Sequence, residues 1–196
     1  MRLIGHPLRS HRRSRGQALV EFSLVLLPFM IIIVALIEFS FLLTAKIGVT
    51  DAAQDAVQLA SELGTDQSSD FQVLQLIQKD VSTPLNPAQI VSVEIFDSDA
   101  NGIANTGEDK YVPGAPYYQN PSNTAQTVPF KQISTGYLPS ARCNTVASSV
   151  CGGVDFIGVI VTYQYAWVTP LPNLVGLGSS PPTFAQSSVS RMEPIL

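Results

Sequence analysis

One apolar run near the N-terminus constrains the fold of this chain more than any other feature. Residues 22–43, FSLVLLPFMIIIVALIEFSFLL, contain one charged side chain, Glu38, in 22 positions. As an α-helix this run would be roughly 33 Å long, enough to cross a hydrocarbon core of about 30 Å. A buried helix of a globular domain is the alternative, but such a helix is usually shorter and more amphipathic. The run therefore predicts a single membrane span.

The charges on the two sides of this run predict its orientation. Five arginines and no acid precede Gly16, whereas Gln17–Leu196 holds six basic and fifteen acidic residues. An excess of arginine beside a span is typical of the cytoplasmic side. A basic patch can also bind nucleic acid, but this one adjoins a span, so we expect no nucleic-acid partner. We expect a single-pass protein of the bacterial cytoplasmic membrane, with its N-terminus inside and everything beyond about Lys46 outside.

The helix is predicted to continue past the membrane. In VTDAAQDAVQLASELG, small or apolar residues recur at spacings of three and four, and Gly64 supplies a stop. A conventional signal peptide would end in small residues and a cleavage site instead. We expect one long helix with a transmembrane half, residues 17–45, and an amphipathic extracytoplasmic half, residues 46–64. Pro28 predicts a kink, because proline removes a backbone donor and clashes with the preceding turn.

Residues 65–196 are predicted to form an extracytoplasmic head. A short helix is expected at Asp70–Val81, with Ser69 and Gln72 forming a capping box. The segment Lys110–Pro139 is rich in Pro, Tyr, Asn and Gly, which favours an ordered loop.

Three segments of the head have the alternation of β-strands. In QIVSVEIFD, the residues Val91, Val93 and Ile95 are predicted to share one face. VDFIGVIVTYQYAWV is the strongest strand signal, and a weaker one covers Phe184–Met192. The predicted fold class is α+β, with a long N-terminal helix packed on a small antiparallel β-sheet head.

The two cysteines predict a covalent link in this head. Cys143 and Cys151 stand in CNTVASSVC with seven residues between them. Outside the cytoplasmic membrane they would meet oxidising conditions and could close a small loop, with two unpaired thiols as the alternative.

An acidic segment, DSDANGIANTGE at residues 97–108, fits the calcium-loop pattern D-x-[DN]-x-[DN]-G-x5-E. Calcium requires several oxygen ligands at about 2.3–2.6 Å, and such a loop would rigidify the head. The predicted ligands are Asp97, Asp99, Asn101, Ile103, Asn105 and Glu108. A strand rather than a helix leads into the segment, so a calmodulin-like domain is not predicted. An acidic hairpin turn is the alternative, because Asp, Asn and Gly dominate turns.

Enzymatic chemistry is not expected. The only histidines, His6 and His11, lie in the arginine-rich N-terminal segment, away from the head. The head therefore has no histidine for a Ser-His-Asp or Cys-His mechanism or for a histidine-ligated zinc site. The sequence also contains no phosphate loop or dinucleotide fingerprint.

The start of the apolar run carries a resemblance. Gly16, followed by four residues and then Glu21 and Phe22, resembles the recognition pattern of prepilin peptidases. The segment EFSLVLLPFMIIIVALIEFSFLLTAKIGVTDAAQDAVQLAS resembles the TadE-like pseudopilins of tight-adherence (Flp-type) pilus systems. The C-terminal stretch VIVTYQYAWVTPLPNLVGLG, followed by SRMEP, is similar to the tails of many such proteins.

The resemblance implies a processed subunit of a filament or of its assembly complex. Residues 1–16 would be a leader removed after Gly16 by prepilin peptidase, and Gln17 would become the N-terminus. Other pilins, pseudopilins and pilus-assembly membrane proteins would be the partners, together with membrane lipid. A membrane-tethered extracellular binding domain or adhesin that keeps its leader and never enters a filament is the competing interpretation.

Two acids of the apolar helix need partners, because a charge at the centre of a bilayer costs roughly 2.5–3.5 kcal/mol. Glu21 could pair with the amine of Gln17 exposed by cleavage, on its own helix or on a neighbouring subunit. Alternatively it lies at the headgroup level and only favours the helix dipole. Glu38 is either a second assembly contact or, the preferred interpretation, a residue at the outer interface near Lys46. With Pro28, these acids form the predicted assembly surface.

Overall fold

The computed structural model describes residues 13–82, 85–146, 151, 153–174, 176 and 180–194. Residues 1–12 of the predicted leader therefore lie outside the described residues. The helices are α1 (Arg13–Leu63), α2 (Ser69–Asp80) and α3 (Leu171–Leu174), and the strands are β1 (Ile90–Ser98), β2 (Ala104–Asn120), β3 (Asn123–Ser134), β4 (Phe156–Gln164) and β5 (Thr183–Arg191).

The long N-terminal helix is present as one continuous element. α1 has 51 residues and contains Pro28 within it, and a kink at that proline stays a prediction. By length and composition alone, α1 contains a segment able to cross a membrane. The helix ends where expected, since Gly64 adopts a φ of 56° and its amide donates to the Ala60 carbonyl oxygen at 3.2 Å.

The five strands form one antiparallel sheet in the order β3-β2-β1-β4-β5, and α1 packs against β4 and β5. In the centre of the sheet, Val93 is opposite Val161 and Ile95 is opposite Val159. All four side chains are fully buried in the core that also includes α1 and α2. The α+β fold with a helix packed on a small antiparallel sheet is therefore confirmed.

The expected loop at Lys110–Pro139 is wrong, because this region forms most of the long hairpin of β2 and β3. Its prolines are accommodated by irregularity. The pairing shifts between Pro113 and Tyr118, so the residues between them bulge out of the ladder. Pro129 lies in β3, an edge strand, where a missing backbone donor is tolerated.

The predicted face of β1 is wrong at one position. Val91 is 42% exposed, whereas Val93 and Ile95 are buried. The pairing of β1 with β4 shifts between Ile90 and Ser92, and this irregularity turns Val91 away from the core and lets Ile90 take its place.

The start of α2 also differs from the expectation by one residue. The N-cap is Ser68 rather than Ser69, and Gln72 Nε2 donates to Ser68 Oγ at 2.8 Å. Asp66 Oδ1 accepts from the backbone N and Oγ of Ser68 at 2.7 and 2.6 Å. Ser69 is buried and accepts a hydrogen bond from Arg142, so it is not available to cap the helix.

Candidate functional site

α1 divides into two parts at Glu38. From residue 16 to residue 37 no side chain is buried, although most of them are apolar. Leu19, Phe22, Leu24 and Leu27 are each 64–73% exposed. This bare half of α1, defined as residues 16–37, presents an apolar surface that the rest of the described chain leaves uncovered.

The second part of α1 carries a stripe that faces the head. Its buried members are Glu38, Ala45, Val49, Ala52, Ala53, Ala56, Val57, Ala60 and Ser61. They recur at spacings close to three and four residues, which places them on one face of the helix. Most are alanine, and small side chains let the helix axis come close to the sheet. We call residues 38–63 the head-bound half of α1.

Glu38 is the first residue of this stripe and has partners in the head. Its side chain is only 4% exposed. Oε1 accepts from the hydroxyl of Tyr165 at 2.9 Å and from the backbone N of Val168 at 3.0 Å, and Oε2 accepts from the backbone N of Thr169 at 2.7 Å. The segment that follows β4 therefore closes over this carboxylate. Neither alternative that the sequence offered for Glu38 includes such a contact.

Glu21 has a different environment. It is exposed, and its Oε1 accepts a hydrogen bond from Gln17 Nε2 at 2.9 Å, one helical turn away. No other partner of Glu21 is found among the described residues. Most of the predicted processing and assembly residues lie on the bare half: Gly16, Gln17, Glu21, Phe22 and Pro28. Glu38, the remaining one, begins the head-bound half.

Gly16 is not needed for packing. A Cβ added at this position would meet no atom within 4 Å, and its φ is not positive. Glycine within a helix costs about 1 kcal/mol relative to alanine. Among the described residues, neither packing nor backbone geometry therefore requires a glycine at this position.

The acidic segment at residues 97–108 comprises the end of β1, the turn at residues 99–103 and the start of β2. Asp99 Oδ1 accepts from the backbone N of Asn101 and of Ile103, each at 2.8 Å, and Asp97 Oδ2 accepts from Asn105 Nδ2 at 3.0 Å. The amide of Ile103 is the main cause that lowers the pKa of Asp99 below its ordinary value. The acids of this turn are therefore engaged with the turn itself.

The sheet also separates the two ends of the predicted calcium loop. Asp97 is opposite Ile157, a core residue on the face toward α1, whereas Glu108 is opposite Phe96 on the other face. The first and last predicted ligands thus lie on opposite faces and do not close a cage. Within the described ranges, no group of three or more His, Cys, Asp or Glu side chains is placed to hold a metal ion. Calcium binding stays a prediction that this arrangement does not favour.

A buried charged cluster, which the sequence did not indicate, joins α2 to the hairpin. Arg142 Nη2 forms an ion pair with Asp70 Oδ1 and donates to the Tyr137 carbonyl oxygen at 3.1 Å, and both charged side chains are 0% exposed. Asp70 Oδ2 accepts from the hydroxyl of Tyr111 at 2.8 Å. Asp109 Oδ1 accepts from the backbone N of Tyr137 at 3.1 Å. This cluster stabilises the head and has no opening that would make it a site.

The predicted disulfide is confirmed and adjoins that cluster. Cys143 and Cys151 are bonded, with their Cα atoms 5.6 Å apart. The backbone N of Cys143 donates to Asp155 Oδ2 at 2.7 Å, which ties the start of the loop to the residue just before β4. Burial, as the largest effect, raises the pKa of the neighbouring Tyr137 hydroxyl, which also contacts Asp155.

Comparison with known proteins bears on α1 rather than on the head. Residues 16–58 match the family model described as TadE-like protein. The match begins at Gly16 and runs through the bare half into the alanine-rich stripe. No curated protein and no solved structure matches the chain. In its N-terminal helix this chain is therefore similar to TadE-like proteins.

Proposed function

We propose that this chain is a pseudopilin, or minor pilin, of a tight-adherence pilus system, matured by a prepilin peptidase and packed through the bare half of α1. The observation that carries the proposal is that half itself. It is a long apolar helical surface, uncovered by a head that has a complete core of its own, in a segment that matches TadE-like proteins. Such a surface needs lipid before assembly and neighbouring helices after it.

The bare half has the length of a membrane span. Gln17–Ile37 contains 21 residues, or roughly 31 Å of helix, which matches a hydrocarbon core of about 30 Å. The arginines before Gly16 would remain in the cytoplasm, and the head would lie outside. The bonded cysteines are consistent with that orientation, because disulfides persist in oxidising compartments.

The chemistry of maturation explains the position of Glu21. Hydrolysis of the peptide bond between Gly16 and Gln17 would leave an α-amine on Gln17, which is largely protonated at neutral pH. The contact between Gln17 and Glu21 supports the geometry, since it indicates that groups at residue 17 lie within reach of this carboxylate. An uncleaved chain has no amine there, so pairing would favour matured subunits.

Pairing between subunits would also fix their relative height. A carboxylate and an amine in an apolar environment are each costly when alone and far less so as a pair. A neighbouring helix that offers its amine to Glu21 is therefore held at one axial position. A slipped neighbour would leave both charges without partners.

The chain offers a matched control for a test of this role. Glu62 is also an exposed acid on α1, and it accepts from Gln58 Nε2 at 3.2 Å, four residues away, just as Glu21 accepts from Gln17. The experiment introduces Glu21→Ala and Glu62→Ala separately into the full-length protein in cells that make the pilus. Co-purification of pilus components from detergent-solubilised membranes is the readout.

We expect Glu21→Ala to insert into membranes and to lose at least tenfold of its co-purifying pilus components, with Glu62→Ala equal to wild type. Equal recovery with wild type and with both variants would contradict the assembly role of Glu21. A tethered binding domain would then remain as the function of the chain.

A further inference from the structure

The segment that closes over Glu38 has side chains suited to a membrane surface. Tyr165 and Trp167 stack edge to face, with ring centroids 5.8 Å apart. Trp167 is half-buried, and its Nε1 donates to the Ser180 carbonyl oxygen at 3.3 Å. Val168, which donates its backbone N to Glu38, has its own side chain 62% exposed. We call residues 165–168 the aromatic segment.

The hydrogen bonds to Glu38 fix the level of the aromatic segment along α1. Glu38 immediately follows the bare half, so the aromatic segment lies at the outer end of the proposed span. On the side of α1 away from the head, apolar exposure continues past this level, with Phe39 60%, Leu43 46% and Ile47 53% exposed. The aromatic segment is therefore continuous with an apolar helical surface.

The neighbouring surface of the head is also apolar. A pocket beside the aromatic segment is lined by Phe41 and Ala45 of α1, by Leu85, and by Ala166 and Val168. Tyr163 and Tyr165 also line it, with their hydroxyls bonded to Gln89 and Glu38, and its remaining lining residues are Thr44 and Asn86. Rings with one polar atom satisfied and the rest apolar are typical of the interface between hydrocarbon and water.

We propose that the aromatic segment is a second membrane contact, with Trp167 and Val168 in the headgroup region of the outer leaflet. This inference rests on the proposed membrane span. The interfacial region extends about 5–8 Å beyond the hydrocarbon core, or roughly four to five residues of helix, and the aromatic segment is held at Glu38, directly beyond the proposed span. Glu38 acts as a positioning residue, because its carboxylate holds the aromatic segment at this depth. The bilayer would thereby set the height of the head.

Trp167 is the only tryptophan of the chain and reports directly on its surroundings. The mature chain, which begins at Gln17, would be placed in vesicles of phosphatidylcholine and phosphatidylglycerol. Flotation of the vesicles would first establish that the protein inserts. Its fluorescence would then be measured with lipids that carry a quencher near the headgroup, with lipids quenched deep in the acyl chain, and with aqueous iodide.

A matched control places the reporter at the far end of the head. Ile103 is 65% exposed in the turn after β1. The two ends of β1 are eight residue steps apart, which corresponds to roughly 26 Å of strand. The control protein carries Trp167→Phe and Ile103→Trp. A third protein, Glu38→Ala, frees the aromatic segment without changing its composition.

We expect shallow lipid quenchers to reduce Trp167 fluorescence at least threefold more than iodide does, and the Ile103→Trp control to show the reverse. Glu38→Ala should raise iodide quenching of Trp167 at least twofold.

If the protein floats with vesicles but Trp167 is quenched by iodide like the control, the second contact is refuted while the span stands. Shielding from iodide and from lipid quenchers alike would mean that Trp167 is buried within the protein and would refute the lipid contact. Failure to float would overturn the span and the inference together.

Discussion

The bare half of α1 is the more apolar of the two, with 17 hydrophobic residues in 22 against 14 in 26 for the head-bound half, and the two halves meet different surroundings. The bare half carries large side chains such as Phe22 and Leu27, both more than 60% exposed, whereas the head-bound half uses alanines that are almost completely buried. Large side chains provide apolar area for partners outside the chain, and small ones allow close packing within it. The difference shows that the described head packs its core without the bare half. Under the proposed function, that half is available to lipid and to other subunits.

The two acids of α1 make the same contrast more sharply. Glu38 receives hydrogen bonds from Tyr165, Val168 and Thr169 of the head, whereas Glu21 receives one from the neighbouring turn of its own helix. A carboxylate that the fold already satisfies needs no external partner, whereas an exposed one on an apolar helix does. The comparison therefore places Glu38 in the architecture of the chain and, under the proposed function, leaves Glu21 for assembly.

The largest effect should come from the head and leave the bare half untouched. Arg142→Ala would leave Asp70 charged and unpaired in the interior, which costs about 3–5 kcal/mol of unfolding free energy. Chemical denaturation of the full-length protein in detergent, followed by near-ultraviolet circular dichroism, measures this loss. Arg191→Ala, at an exposed position of β5, is the control and should change stability by less than about 0.5 kcal/mol. A similar small change for both variants would show that the buried pair is unimportant.

A second pair of variants tests whether the two halves have different packing requirements. Ala56→Leu adds a large side chain at a site that is 0% exposed and should cost about 2–3 kcal/mol of head stability through overpacking. Leu27→Ala removes a large side chain from the bare half and should leave the unfolding of the head unchanged in the same assay. Destabilisation of the head by Leu27→Ala would mean that the bare half belongs to the folded core.

A third prediction concerns the two acids. Glu38→Ala removes the acceptor for the amides of Val168 and Thr169, and a hydrogen bond to a charged group contributes about 1.5–3 kcal/mol. Hydrogen exchange of these two amides should therefore accelerate by about tenfold or more. Glu21→Ala should leave their exchange unchanged, and an equal effect of both substitutions would remove the distinction between the acids.

The smallest effect is expected at the junction that follows the head-bound half. Hydrogen bonds from the Oγ and backbone N of Ser68 lower the pKa of Asp66 below its ordinary value. An acid whose pKa is lower in the folded state contributes stability above its unfolded pKa and loses it as the pH falls through the folded value. The stability of wild type should therefore decrease more steeply below about pH 4 than that of Asp66→Asn. Parallel pH profiles of the two proteins would show that the hydrogen bonds from Ser68 to Asp66 have no energetic role.

The sequence predicts the periodic elements of the molecule well. The helix α1 follows an apolar pattern that persists over many residues, and its position agrees with the structure. β4 lies in the strongest predicted strand segment but ends at Gln164, before the predicted Tyr165 and Trp167, and β5 agrees with the weaker signal at Phe184–Met192 to within one residue. The hairpin of β2 and β3 is hidden because Pro113, Pro116 and Pro129 interrupt its pattern, and strand pairing with shifts in register has no local signature. The disulfide could be predicted because a cysteine pair separated by a short loop needs no knowledge of the fold.

The candidate site is only half visible in the sequence. Glu21 could be identified because its spacing from Gly16 is local. The role of Glu38 could not be predicted, because it depends on the backbone amides of Val168 and Thr169, which are 130 and 131 residues away. No side-chain pattern encodes these contacts. The same applies to the pair of Asp70 and Arg142, which are 72 residues apart and meet only when α2 packs on the hairpin.

The central claim is that removal of the leader creates the amine that Glu21 recruits when subunits pack. Mass spectrometry of the protein isolated from membranes of cells that make the pilus tests it most directly. The account predicts a mature chain that begins at Gln17. A chain that still begins upstream of Gly16 would contradict the account, since no amine would then be present beside Glu21.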